Sequence, residues 1–219
     1  MKQTKRMIMI SSMLAGLVSV NAPVYAEEHG GHAATTTASS VKVAQTGAVL
    51  RDLWLGHAFW VRNVVLETTA GNKAAAKAAE NEVVANARQI AASIEPFYGK
   101  PASDKLFTLL AGHYGAIKKY LEAATNDSKA KQDAAMKVIS ANVEEISSFL
   151  SGANPYLPQD AVRGLLMAHV GHHLQQIQQL HDQQYPQEAQ TWEAMKGHMY
   201  VIADTLAGAL AKQFPAKFG

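Results

Sequence analysis

A step of 56 residues runs through this chain. His57, His113 and His169 stand one step apart, as do Leu53, Leu109 and Leu165, and again Val65, Leu121 and Ile177. Further along, the same step joins Val83, Ile139 and Met195, then Asn86, Asn142 and His198, then Ile90, Ile146 and Ile202, then Ile94, Leu150 and Leu206. A fixed period of this length means one supersecondary unit copied, and a unit that cannot bury its apolar face alone must stack on its copies. The step therefore limits the chain to three similar pieces packed on one another.

Within each piece the apolar residues recur every three or four positions, the spacing of a helix that buries one face. Leu50, Leu53, His57, Val61 and Val64 form one such stripe, and Leu106, Leu109, His113, Ile117 and Leu121 another. Breakers divide the stripes: Gly71 and Asn72; Pro96, Gly99 and Pro101; Asn126 and Asp127; Gly152, Asn154, Pro155 and Pro158; Tyr185 and Pro186; and Pro215. The pattern predicts helices over about 43–69, 73–95, 102–125, 129–151, 159–181 and 187–214, with Asp127 or Ser128 capping the fourth. No strand pattern occurs. Loops this short force each helix antiparallel to the one before. The expected fold is all-α: an up-down bundle of six helices built from three 56-residue αα-hairpin repeats and occupying residues 43–219. Stacking of the hairpins as an open solenoid is the alternative.

Counting from the turns places chemistry at one level. His57 lies 14 residues before Gly71 and Asn86 lies 15 after it, and the other hairpins pair His113 with Asn142 and His169 with His198 in the same way. At about 1.5 Å per residue, each pair shares one height. If the bundle closes, His57, His113 and His169 meet at its axis as a three-nitrogen set suited to zinc, copper or nickel. The fifth helix offers a second set, because His169 and His173 are four residues apart and share a face. With His198 opposite, those three would hold a metal off the axis. His172 and His181 are expected to face solvent. The bland reading is a hydrogen-bonded polar layer, with Asn86 and Asn142 as natural partners of neutral imidazoles. Haem held by histidines alone is a further reading; covalent haem is excluded for want of cysteine.

Other chemistries find no support. A di-iron bundle needs inward glutamates, and none accompanies His57 or His113. There is no nucleophile elbow, P-loop or dinucleotide fingerprint. Arg62, Asp52 and Glu67 supply no convincing catalytic base, so the expectation leans away from an enzyme. Trp54, Trp60 and Trp192 read as packing.

The start of the chain has a basic stretch with Lys2, Lys5 and Arg6, an apolar run from Ile8 to Val20 and small or medium residues at 24–26. This reads as a secretory signal peptide over residues 1–26, which places the protein in the periplasm or outside the cell. Its removal leaves 17 of the 20 Lys and Arg against 18 Asp and Glu, so nothing suggests nucleic acid or an anionic membrane as partner. No cysteine follows for a lipid anchor. The mature chain would begin Glu27, Glu28, His29. A free amine, two amides and a third-position imidazole form the square-planar nitrogen set favoured by Cu(II) and Ni(II). His29 is thus a further metal candidate if cleavage follows Ala26, with His32 nearby in a polar tail over 27–42 expected to be disordered.

Four stretches carry a family resemblance: LRDLWLGHAFWVRNVV from Leu50, IEPFYG from Ile94, FLSGANPYLP from Phe149 and ADTLAGALAKQFPAKF from Ala203. The chain resembles a family of small, often exported bacterial proteins of uncharacterised role. They carry Trp-x-x-His-x-x-Trp-x-Arg near the start, here Trp54, His57, Trp60 and Arg62. They end in Gln-Phe-Pro-x-Lys-Phe, here Gln213, Phe214, Pro215, Lys217 and Phe218. The resemblance implies that His57, His113, His169 and His198 belong to the family pattern, whereas His172 and His173 are particular to this chain. Some members are called glycosyltransferases, an activity that no nucleotide-sugar α/β pattern supports here. The expected function is non-enzymatic binding, buffering or carriage of a transition metal through the histidine layer. A metal-free scaffold or partner-binding protein is the alternative.

Overall fold

In a computed structural model the described residues are 39–219. The expected leader over 1–26 and residues 27–38 of the expected tail, with His29 and His32, lie outside them, whereas residues 40–42, expected to be disordered, already belong to the first helix. The described residues are all-helical. The elements are α1 (Ser40–Thr69), α2 (Lys73–Ser93), α3 (Glu95–Tyr98), α4 (Lys100–Thr125), α5 (Lys129–Ala153), α6 (Gln159–His181), α7 (Tyr185–Gln213) and α8 (Pro215–Phe218). The six long helices fall within a few residues of the expected spans. The two short ones occupy stretches that look like plain breaks in the sequence. Pro96, Pro101, Pro186 and Pro215 each sit in the first two positions of a helix. There the missing N–H costs nothing and the fixed φ suits the first turn. These prolines start helices as much as they stop them.

Packing follows chain order and then returns to its start. α1 lies on α2, α4 on α5 and α6 on α7; α2 also meets α4, and α5 meets α6. α7 packs extensively on α1, and α6 touches both α1 and α4. The first and last long helices are therefore neighbours, which an open ribbon of hairpins does not allow. Buried Ile139, Ile146 and Ile177 show how well the stripes face inward. Each fully buried side chain of this size contributes about 1.5–3 kcal/mol.

The turns within the three helix pairs are built alike. Gly71, Asp127 and Gln183 take positive φ, at 75°, 52° and 58°. The following N–H groups of Asn72, Ser128 and Gln184 reach the carbonyls of Glu67, Ala123 and Gln179 at 2.9, 2.9 and 2.7 Å. This is the Schellman closure, which satisfies the last carbonyls of a helix and asks for a left-handed residue beside them. Asp127 is thus the left-handed residue of its turn rather than a cap. Ser128 takes the N-cap position of α5 without a side-chain bond, whereas Asn72 accepts from the Ala75 N–H at 3.2 Å.

At the other end the segments between pairs form an aromatic seal. Phe97 packs on Phe214 and Phe218, and Tyr98 meets Phe214 edge-on. The Tyr98 hydroxyl donates to Gln213 Oε1 at 2.7 Å and accepts from Asn154 Nδ2 at 3.0 Å, while Gln213 Nε2 donates to the Ala153 carbonyl at 2.9 Å. Residues from 94–99, 149–158 and 203–218, three of the four stretches singled out in the sequence, meet here.

Candidate metal centre

The brace around the histidines begins with backbone carbonyls. Asn86 Nδ2 donates to the Leu53 carbonyl at 2.9 Å, and Asn142 Nδ2 to the Leu109 carbonyl at 3.0 Å. His198 Nε2 lies 2.8 Å from the Leu165 carbonyl, to which it donates. Each contact spans 33 residues. Two glycines make room for the amides. A Cβ on Gly56 would lie 3.1 Å from Asn86 Nδ2, and one on Gly112 would lie 3.3 Å from Asn142 Nδ2. Sequence reading passed over both glycines, because they lie inside helices; their own 56-residue separation was the available signal.

Four imidazoles are buried together. His57 comes from α1, His113 from α4, and His169 and His173 from successive turns of α6. Ring centroids are 5.4 Å apart for His57 and His169, 5.7 Å for His57 and His173, 5.9 Å for His113 and His169, and 4.4 Å for His169 and His173. Nε2 of His169 and Nε2 of His173 are 3.1 Å apart. Each of His57, His169 and His173 offers one ring nitrogen such that all three nitrogens lie within 4.8 Å of one another. The trio takes two members of the expected axial set, His57 and His169, and adds His173 from the next turn of α6.

His113 stands beside it with a defined tautomer. Because the Asn142 amide nitrogen is committed to Leu109, its Oδ1 faces His113 Nδ1 at 2.9 Å and accepts from it. The proton is therefore on Nδ1, and Nε2 presents a bare lone pair. That Nε2 and His169 Nδ1 are buried with no hydrogen-bond partner among the described residues. Asn86 does not repeat the arrangement: its Oδ1 is also buried without a partner.

His198 is not brought to this group. Its ring is held at the Leu165 carbonyl and lies 5.5 Å from the ring of His172, which is only partly buried. His181 meets Asp127 at 3.1 Å on the surface.

Burial decides the protonation of the four central rings. It pushes His57 down to about 3, with His113 adding to the effect. His113 is lowered by burial against the opposing hydrogen bond from Asn142. His169 and His173 are held well below the ordinary imidazole range by burial first and by the neighbouring histidines second. All four are neutral near pH 7, which is the ligating form. Trp54 packs edge-on against His57, at 6.4 Å between centroids.

Arg62 has a different task. Its guanidinium forks onto Glu188, with Nε and Nη2 each 2.6 Å from a carboxylate oxygen, and Gln176 Nε2 donates to the same carboxylate at 2.8 Å. Burial would raise the Glu188 carboxyl, but Arg62 and Gln176 outweigh it and hold it below the ordinary range. The pair ties α1 to α7.

Among the described residues no helix is long and apolar enough to cross a membrane. No family model matches the chain, and neither a curated protein nor a solved structure matches it.

Proposed function

We propose that this is an exported helical-bundle protein that binds one transition metal ion, copper, zinc or nickel, through His57, His169 and His173, in a buffering or carrier role. In this reading three repeated αα-hairpins make a six-helix up-down bundle, and its first helices bring the imidazoles together. The observation that carries the reading is the meeting of three neutral ring nitrogens within 4.8 Å, two of them 3.1 Å apart on successive turns of one helix. Two nitrogens on a tetrahedral ion with bonds of about 2.0 Å are about 3.3 Å apart, so little rearrangement is needed on α6. Export rests on the leader sequence, and His29 would add a separate Cu(II) or Ni(II) site at the tail.

The metal-free polar layer is favoured by the bonds from His113 to Asn142 and between His169 and His173. It leaves His113 Nε2 and His169 Nδ1 unpaired in a buried site, and such atoms cost about 1–3 kcal/mol each. A layer serving only its own hydrogen bonding is poorly made by that measure. Ring spacings of 4.4–5.9 Å also leave no slot for a porphyrin between facing imidazoles.

The test is elemental analysis and metal titration of the mature protein with His29→Ala and His32→Ala, which removes the tail's ligands. One equivalent of metal is expected, and His169→Ala abolishes it. Failure to retain a stoichiometric ion under any loading condition overturns the reading.

A further inference from the structure

The donor set carries no negative charge. There is no cysteine in the chain, and no aspartate or glutamate among the described residues joins His57, His169 and His173. The rings that lie against these three are imidazoles and the Trp54 indole. Glu188, the one buried acid among the described residues, is already neutralised by Arg62 and takes a hydrogen bond from Gln176. His113, with its proton fixed on Nδ1 by Asn142, presents another neutral nitrogen. Around this level lie apolar side chains of both core clusters, including Val61, Leu109 and Val170 on one side and Trp54, Ala58 and Leu110 on the other.

An ion held here therefore keeps its whole charge in a buried, apolar setting. The cost of burying a charge grows as its square, so a divalent ion costs about four times as much as a monovalent one of similar size. Zinc sites built from histidine relieve this through carboxylates that accept from the ligating rings, or through a bound hydroxide. Here the ring partner on His113 is a neutral amide, and His169 Nδ1 has none. Copper(I) has one positive charge, accepts three imidazoles readily and demands no anion. We propose that the histidine centre is selective for monovalent copper over zinc and other divalent ions, because its ligands and their surroundings are uncharged. This inference rests on the metal-binding reading above and names the ion for that site.

The experiment uses the full mature chain with His29→Ala and His32→Ala, under argon with ascorbate. Cu(I) is titrated against bicinchoninate and Zn(II) against a chromophoric zinc chelator. One equivalent of Cu(I) should bind, with an affinity at least about 100-fold above that for Zn(II). His57→Asp, which puts a carboxylate into the set, should lower the Cu(I) to Zn(II) ratio at least about tenfold if the charge argument is right. Zn(II) binding at one equivalent as tightly as Cu(I) overturns the selectivity and leaves metal binding intact. A ratio unchanged in a folded His57→Asp protein overturns the charge argument. Absence of both ions at one equivalent overturns the selectivity, and absence of Cu(II) and Ni(II) as well ends the metal-binding reading itself.

Discussion

At the end of the bundle, Tyr98, Asn154 and Gln213 leave no polar atom idle. Tyr98 donates to one amide and accepts from the other, Asn154 Oδ1 accepts from the Tyr156 N–H at 2.9 Å, and Gln213 uses both its oxygen and its nitrogen. In the middle of the bundle four imidazoles are buried side by side, and two of their nitrogens are left without partners. Tyr98, Asn154 and Gln213 come from the segments at the ends of the helix pairs, whereas the imidazoles come from the middles of α1, α4 and α6. A network that closes on itself holds helices together; one that stops short has capacity for something else. The accounting of polar atoms thus separates the two clusters.

The largest contrast is expected in acid. The central imidazoles are neutral in the folded protein, while the unfolded chain takes up protons near pH 6.5. Their contribution is complete above that pH and is lost as pH falls from 6.5 toward the folded values, about 3 for His57. Each neutral buried histidine removes about 1.4 kcal/mol of stability per pH unit in that window. The lowered Glu188 carboxyl works lower down: its contribution is present above about pH 4.3 and is lost as pH falls through its folded value. Urea midpoints measured from pH 7 to 5 should drop steeply, and His57→Gln should flatten the slope by about 1.4 kcal/mol per unit. Tyr98→Phe should leave the slope alone. A midpoint unchanged between pH 7 and 5 would remove the neutral centre.

Metal should separate the clusters next. Ion at about 100 times its dissociation constant raises stability by about 2.7 kcal/mol. The Tyr98→Phe protein should gain as much as the parent, and His169→Ala should gain nothing, read as the shift in melting temperature. An equal shift in His169→Ala would place the ion elsewhere.

How much of this was legible follows from what periodicity can carry. Helix class and spans come from apolar stripes and breakers, and His57 and His113 stand on stripes that prove buried. Height along the bundle also came through, because a residue count converts directly to rise. Direction around the helix came through for His57, His113, His169 and His173, which are buried, and failed for His198. His198 shares the level yet bonds back to the Leu165 carbonyl of its own helix pair, while His173, one turn away on α6, turns into the centre. Prolines were ambiguous for a related reason: a proline that ends one helix can occupy the first turn of the next, as Pro96 does in α3. The cost of a close amide at Gly56 and Gly112 is invisible without coordinates, since it concerns one missing Cβ.

The self-satisfied cluster gives a smaller effect. Tyr98→Phe deletes the hydroxyl that serves both amides, and the loss should be about 1–2 kcal/mol. It should be independent of metal. A larger loss in metal-loaded protein than in metal-free protein would couple the seal to the histidine centre and blur the distinction drawn above.

The turns provide the finest measure, because they are removed from both clusters and differ from one another by residue alone. Gly71, Asp127 and Gln183 hold the same left-handed conformation. Glycine adopts it freely, aspartate tolerates it, and glutamine bears a cost of about 1–2 kcal/mol from its Cβ. Glycine's greater freedom in the unfolded chain returns part of that, so Gln183→Gly should stabilise by about 0.5–1 kcal/mol. For a chain of this size that is a rise of about 2–3 °C in melting temperature. Asp127→Gly should gain less, since it also loses the contact with His181. Neither change should alter metal stoichiometry or the acid slope, so a shift in either would mean that a turn communicates with the centre along the helices that flank it.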